Sequence, residues 1–506
     1  MFLVGTVRIA VINNDGQISA AAEQNSVVVT LSHSRGRIFD CNLNALTGES
    51  YENYAVITPS EQSIMYCSTA FSGEEKISIL GKLRNGKPAV VKTEEISCAG
   101  VLNVKVPVFD KNDFCVHLLG YTDSSNHGVS GLQKAMDEYL YSDEKITVRY
   151  ASNAQGQILG GIEPIVSGDT LSTTGVVTTI DRNVQVVIEK AAQNLKKGAI
   201  VVSEAGTGKI RGMLSRPTFT KDNISELLDS ADSPLMNRAL KGYNVGSAFK
   251  PCVALSNGKL SNMTVECEGS MNIENSTFFC HLRSGHKTTD IKDALINSCN
   301  SFFYRFALNV GGDKLYQTAT LFGFGYNKTL VDGISTEGEC IPTRSELSDN
   351  RVLANFSIGQ GKFLASPVTM LSLYEAIACG GQYHQATLIE GIMENAKLTE
   401  KNDKKPPTKA IDKNTANMLK NYLKEVVISG TGKNAHSQRV DIAGKTATAQ
   451  TGWVGEDGNS IEHSWFCGFF PADNPKYIAV VLVEDSANST SSATEIFKYI
   501  AEGLTN

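Results

Sequence analysis

Between residues 13 and 170 the apolar positions come in short runs, at 26–31, 55–58, 76–80, 89–92, 101–108 and 147–150. Gly, Asn, Asp and Ser separate them. Runs of this length bounded by turn residues predict strands. Helical spacing is confined to 131–141, so this half reads as a strand-rich platform. The pattern changes near Leu171. Asp181 stands where a helix N-cap would, ahead of Val184, Val187, Ile188, Ala191, Ala192 and Leu195 at helical spacing. Runs at 198–204 and 209–215 flank Ala205-Gly206-Thr207-Gly208, a hairpin signal without the further residues of a phosphate cradle. Runs at 464–470 and 477–484 form a second pair, and a helix is predicted over 493–504. Strands at both ends of this half, with helices between 247 and 425, predict an α+β domain in which an antiparallel sheet is packed by helices.

The chain has 506 residues, too many for one ordinary domain. The divisions expected are 1–12, 13–170 and 171–506. With 41% hydrophobic and 20% charged residues and a net charge of −6, nothing points to a nucleic-acid partner. Residues 1–12 are apolar but short and carry Arg8. No run reaches the roughly 18 apolar residues of a membrane span. The eleven cysteines show no Cys-x-x-Cys spacing, and His117, His127, His281, His286 and His463 are scattered. Spacing therefore argues against a zinc site, and no metal or cofactor is expected. Cys267 and Cys280 bracket a polar loop, and spacing leaves a disulfide between them open.

The chemistry concentrates at Gly246-Ser247-Ala248-Phe249-Lys250. On a helix, residues three apart share a face, which puts a hydroxyl beside an amine at a helix start, where free N–H groups can receive an oxyanion. The pattern alone is weak, because Ser-x-x-Lys recurs at Ser142, Ser256 and Ser284. Two further pieces follow: Ser298-Cys299-Asn300, behind the capped apolar segment 290–296, and Lys445-Thr446-Ala447-Thr448. Order and local context are far more specific than any one piece.

Together they resemble the class B penicillin-binding proteins, whose signature is Ser-x-x-Lys, Ser-x-Asn and Lys-Thr-Gly in that order. The resemblance extends over nearly the whole chain. Arg35-Gly36-Arg37-Ile38-Phe39-Asp40, His117-Leu118-Leu119-Gly120 and Gly128-Val129-Ser130-Gly131-Leu132 match the amino-terminal pedestal. Thr179-Ile180-Asp181, Gly359-Gln360-Gly361, Gly430-Thr431-Gly432 and Trp465-Phe466-Cys467-Gly468 match the transpeptidase domain. The resemblance implies the penicillin-binding transpeptidase fold behind a pedestal over 13–170, with 1–12 as the remnant of a membrane anchor and the catalytic domain outside the cell. With no glycosyltransferase domain ahead of the pedestal, the bifunctional class is not expected.

The resemblance also implies roles. Ser247 is the nucleophile toward the penultimate D-alanine of a peptidoglycan stem peptide, and Lys250 is its base. Ser298 relays a proton, Asn300 positions the lysine and the substrate amide, and Lys445 supplies positive potential. Thr446, Ala447 and Thr448 line the substrate, with the backbone N–H groups of Ser247 and Thr448 as oxyanion hole. Expected partners are stem peptides, β-lactams, a membrane glycosyltransferase and other cell-wall synthesis proteins. Three positions depart from the family: Cys41 for arginine, Gln133 for glutamate and Ala447 for glycine. A Cβ at 447 is expected to alter substrate or β-lactam fit. Rival readings are a β-lactamase or D,D-carboxypeptidase, and a catalytically weak scaffold.

Overall fold

The computed structural model describes residues 25–109, 114–168, 173–258, 260, 262–400, 405–455 and 458–505. The predicted segment 1–12 lies outside them. A five-stranded antiparallel sheet organises the carboxy-terminal part, in the order Ile210–Arg216, Gly198–Glu204, Tyr477–Val483, Ser460–Phe470, Ala443–Val454. Strands from the two ends of this half thus meet at its centre, with Tyr477 opposite Glu204 and Val483 opposite Gly198.

Alternation splits the core into two layers. Ile200, Val202, Val481 and Val483 face Val184, Ile188, Phe497 and Ile500 of the helices Arg182–Ala191 and Ala493–Leu504. Ala199, Val201, Val480 and Leu482 face the other way, into a larger core with the helix Pro367–Ala378, which is buried at every position. The first of these helices starts as its sequence predicts, the Asp181 carboxylate accepting from the Asn183 N–H at 2.8 Å. Ala443–Val454, at the end of the sheet, keeps one side of its backbone unpaired within it.

The amino-terminal half holds two three-stranded sheets. One is Ser26–Arg35, Tyr141–Ala151 and Ile165–Ser167; the other is Ala89–Lys92, Ser50–Ile57 and Val101–Val108. The strand expected at 76–80 is instead part of the helix Gly73–Arg84, which follows a further helix, Glu61–Ala70. The reason is local. Ser60 and Ser63 form a capping box on one helix. The other has Glu74 and Glu75 in its first turn, Lys82 and Arg84 in its last, and buried Ile79, Leu80 and Leu83 on one face. The predicted helix 131–141 breaks at Met136 into Gly131–Ala135 and Asp137–Leu140.

The halves are stitched together. Arg37–Phe39 pairs in parallel with Gly175–Thr178, in a four-stranded sheet completed by Ile389–Glu394 and Lys397–Glu400. The strands approach so closely at Gly175 that a Cβ there would stand 1.8 Å from the Arg37 carbonyl oxygen. Next to this junction the buried Arg35 guanidinium donates to Gln133 Oε1 (2.8 Å), the Gln133 carbonyl (2.9 Å), the Asn126 carbonyl (2.7 Å) and Asp137 (2.7 Å). Gln133 also donates from its amide to the Phe109 carbonyl at 3.0 Å, a bond a glutamate could not make, while Asp137 supplies the negative charge.

Candidate active site

Gly246–Phe249 is a single 3-10 turn that runs into the helix Lys250–Leu255. Residues three apart eclipse in such a turn, so Ser247 and Lys250 share one side. The turn is held from several directions. The Phe249 ring packs 4.5 Å from Phe363, 5.0 Å from Phe356 and 5.4 Å from Phe324, centroid to centroid. The Tyr374 hydroxyl donates to the Ala248 carbonyl at 2.9 Å and the Trp465 indole N–H to the Asn244 carbonyl at 3.0 Å. Gly246 has φ +55°, and a Cβ on it would lie 3.0 Å from the Thr448 carbonyl oxygen, so glycine lets the turn press against the edge strand. Ser247 lines a cleft of about 970 Å³.

Lys250 is fully buried and points away from solvent toward the second motif. Its Nζ donates to the Ser298 carbonyl (2.7 Å), to Ser298 Oγ (3.2 Å) and to Asn300 Oδ1 (2.7 Å), and lies 5.3 Å from the Phe303 ring centre. Burial draws its pKa down to about 7, with the Cys299 and Cys280 thiols acting weakly the other way. Ser298 sits between the helices Ile291–Ile296 and Asn300–Val310 with φ +56°, a left-handed conformation rare for serine. Asn300 also donates to the Phe279 carbonyl at 3.3 Å, which ties the motif to the hairpin that walls the cleft.

The third motif lies on the edge strand. Lys445 is buried, and its Nζ donates to the Thr446 carbonyl (3.1 Å) and to Thr431 Oγ1 (3.3 Å). Burial and the neighbouring Lys250 hold it well below the ordinary lysine range. Among the described residues neither lysine is paired with a carboxylate, so two lysine amines sit beneath one cleft with hydroxyl, carbonyl and amide oxygens as their acceptors. Thr446 and Thr448 face the open side. In an antiparallel strand a residue's N–H and C=O leave on the same side. The Thr448 carbonyl faces Gly246, so its N–H is directed at the edge where Ser247 stands.

Ser247, Ser298, Asn300, Thr446, Ala447 and Thr448 therefore line one cleft, with Lys250 and Lys445 buried under it. A serine hydroxyl at a helix start, a buried lysine with its pKa drawn down, a second hydroxyl beside that lysine and an unpaired strand edge are parts that an acyl-transfer site can use. The model of the penicillin binding protein transpeptidase domain matches residues 198–502, more than half of the chain. The chain belongs to this family.

Its relatives include stage V sporulation protein D of Bacillus subtilis, 28% identical over 454 residues, covering 85% of this chain and 68% of that protein. Another is the peptidoglycan D,D-transpeptidase MrdA of Acinetobacter baumannii, 28% identical over 452 residues, covering 77% and 64%. The chain thus spans about two thirds of the length of these relatives. Among solved structures, penicillin-binding protein PBP2 of Helicobacter pylori shares the fold with a TM-score of 0.68 at 21% identity, over 95% of this chain and 98% of that one. The D,D-transpeptidase domain of a peptidoglycan glycosyltransferase from Eggerthella lenta gives 0.66 at 21%, over 94% and 98%.

In this penicillin-binding protein the structure places several further residues that the sequence singled out. Ala447 is only 4% exposed and shares the buried face of the strand with Lys445 and Ala449, so it packs into the core while also lining the cleft. Cys267 and Cys280 are free thiols, not a disulfide. Spacing in sequence also says little about which cysteines and histidines meet in space. The fold gathers Cys267, Cys280, His286 and Cys299, far apart in sequence, with their ligand atoms all within 4.8 Å of one another. Two residues without an assigned role also belong to the site. Thr431 bridges to both Lys445 and Thr446, the latter donating to it at 2.8 Å. The Gln360 amide, oriented to match donors with acceptors, pairs with both backbone groups of Gln450 at 3.2 Å. Both are the middle residues of glycine-flanked stretches that the sequence matches to the transpeptidase domain without giving them a role.

Proposed function

We propose that this chain is a class B peptidoglycan D,D-transpeptidase, anchored to the cell membrane with its catalytic domain outside. The reading is supported above all by the convergence of three sequence-distant motifs on one cleft, beside an edge strand that can take an extended peptide as an added strand. Ser247 Oγ attacks the penultimate D-alanine carbonyl and its proton passes to neutral Lys250. The N–H groups of Ser247 and Thr448 receive the oxyanion. Ser298 hands a proton to the departing D-alanine amine, and the peptide C–N bond breaks to leave a Ser247 ester. An amine from a neighbouring stem peptide then attacks the ester and restores the serine. Lys445, Thr446 and Thr448 meet the terminal carboxylate, and Asn300 holds Lys250 and the substrate amide. β-Lactams acylate the same serine.

Among the described residues no helix is long and apolar enough to cross a membrane; the anchoring rests on the family resemblance. The PBP2 of Helicobacter pylori is solved in complex with MreC. By analogy the amino-terminal half here offers a surface to cell-wall synthesis proteins, a membrane glycosyltransferase among them.

The test is intact mass after benzylpenicillin, on the wild type and on Ser247→Ala. A lasting adduct of one penicillin, absent from the variant, is expected. Antibiotic destroyed without an adduct would indicate a β-lactamase, and no reaction at all a scaffold.

A further inference from the structure

Two small two-stranded sheets hang beside the catalytic cleft: Thr264–Cys267 with Lys287–Asp290, and the hairpin Ser270–Ile273 with Ser276–Phe279. Pieces of this size are marginal on their own and need a staple. The ends of these strands deliver Cys267, Cys280 and His286, and the N-terminus of the helix Asn300–Val310 delivers Cys299. His286 Nδ1 lies 3.6 Å from Cys267 Sγ and 3.5 Å from Cys280 Sγ. All three thiols are at most 1% exposed, and none is in a disulfide.

These two sulfur–nitrogen distances are those of a metal tetrahedron, and all four ligand atoms lie within 4.8 Å of one another. With Zn–S near 2.3 Å and Zn–N near 2.0 Å, ligand atoms stand roughly 3.5–3.8 Å apart. Three thiolates and one imidazole form a closed, soft donor set that suits zinc and excludes magnesium or calcium. The surroundings fit as well. The Asn300 N–H donates to Cys280 Sγ at 3.4 Å, the kind of outer-shell bond that stabilises a ligating thiolate. The loops that carry the ligands fold tightly over one another, since a Cβ on Gly269 would stand 1.9 Å from the Arg283 carbonyl oxygen and one on Gly285 2.0 Å from that of Cys267.

We propose that Cys267, Cys280, His286 and Cys299 bind one zinc ion, which fastens the Ser298-Cys299-Asn300 loop to the ribbon that walls the cleft. The ion takes no part in bond making. Cys299 is the middle residue of the motif, so anchoring its sulfur fixes the left-handed Ser298 on one side and Asn300 on the other, the two residues that hold Lys250. The ligands are positioning residues for an acyl transfer assigned to other groups, and the ion's effect on acylation rests on that assignment.

The experiment starts with metal content, measured by mass spectrometry on protein purified without chelators. About one zinc per chain is expected in the wild type and in Cys340→Ser, a cysteine outside the cluster, and less than a tenth of that in Cys299→Ser and His286→Ala. Should those variants fail to fold, exchange of the wild type with cobalt keeps the test open, because a tetrahedral thiolate site gives intense visible bands and thiolate-to-metal charge transfer. Removal of the metal with a strong chelator should lower Tm by several degrees and slow benzylpenicillin acylation at least tenfold, and added zinc should restore both. Substoichiometric metal with no cobalt spectrum would overturn the proposal, as would a Cys267–Cys280 disulfide seen as a loss of two mass units. Undiminished acylation in such metal-free protein would sink the zinc site while leaving the transpeptidase reading standing; absent acylation with full zinc would do the reverse.

Discussion

Lys250 shows how burial and chemistry are matched at a single residue. Its ammonium is completed by three acceptors rather than by a carboxylate, which keeps the neutral form within reach of pH 7. Replacing it with methionine, which preserves the packing stem, should cut the rate of β-lactam acylation by roughly 10²–10⁴ with little change in secondary structure, measured by stopped-flow and circular dichroism. Ala447 also packs into the core. Ala447→Val adds two methyl groups on a buried face and should lower stability by about 1–3 kcal/mol in urea titration. His117 carries a pH signature. Burial holds it down at about 4, while its ring donates to the Pro234 carbonyl at 2.7 Å. The unfolded chain takes up a proton on this residue near pH 6.5, which the native state refuses until about 4. The stability it confers is therefore whole above pH 6.5 and lost as pH falls toward 4, by up to about 3 kcal/mol. His117→Gln should flatten that part of the stability-versus-pH curve relative to the wild type.

At the scale of elements, the site depends on short helices whose ends are set by side chains. Asp290 caps the helix Ile291–Ile296 by accepting from the Asp293 N–H at 2.8 Å, and that helix leads into Ser298. Asp290→Ala should cost about 1 kcal/mol in stability and slow acylation several-fold, a combination that denaturation and acylation assays on one sample would detect. That cap was readable from sequence, as were the Asp181 cap and the paired strands at both ends of the domain, because each rests on neighbours in the chain. The helix Gly73–Arg84 was not, since Ile77 and Leu80 in a short apolar run satisfy strand and helix equally until Ile79 and Leu83 are seen on one buried face. The three motifs were legible through their order, but not the bond from Lys250 to the Ser298 carbonyl or the place of Thr431, which exist only once the helices pack. The gathering of Cys267, Cys280, His286 and Cys299 was hidden for the same reason. Spacing reveals a metal site when its ligands share a local loop, and here two ribbons and a helix terminus bring them together.

Over the whole molecule, a TM-score of 0.68 at 21% identity shows how little of this architecture depends on particular side chains. The exceptions are the joints. Arg35, buried among several acceptors, serves the amino-terminal half as a hub. Arg35→Met would remove the donors to the Gln133 and Asn126 carbonyls and the cation beside Asp137, which would keep only the Gly128 N–H and His127 among the described residues. Thermal unfolding should then show the amino-terminal half melting earlier, with about 3–5 kcal/mol lost there, while penicillin still labels Ser247 at lower temperature. The joint formed by Arg37–Phe39 on Gly175–Thr178 carries a different consequence. A catalytic fragment trimmed to begin at 171 would lose its outermost strand and leave the backbone of Gly175–Thr178, buried at all four positions, open to any passing chain. Such a fragment would be sticky in solution, and a version that begins just before Arg35 or supplies Arg37–Phe39 as a separate peptide should stay monodisperse at concentrations where the shorter one precipitates.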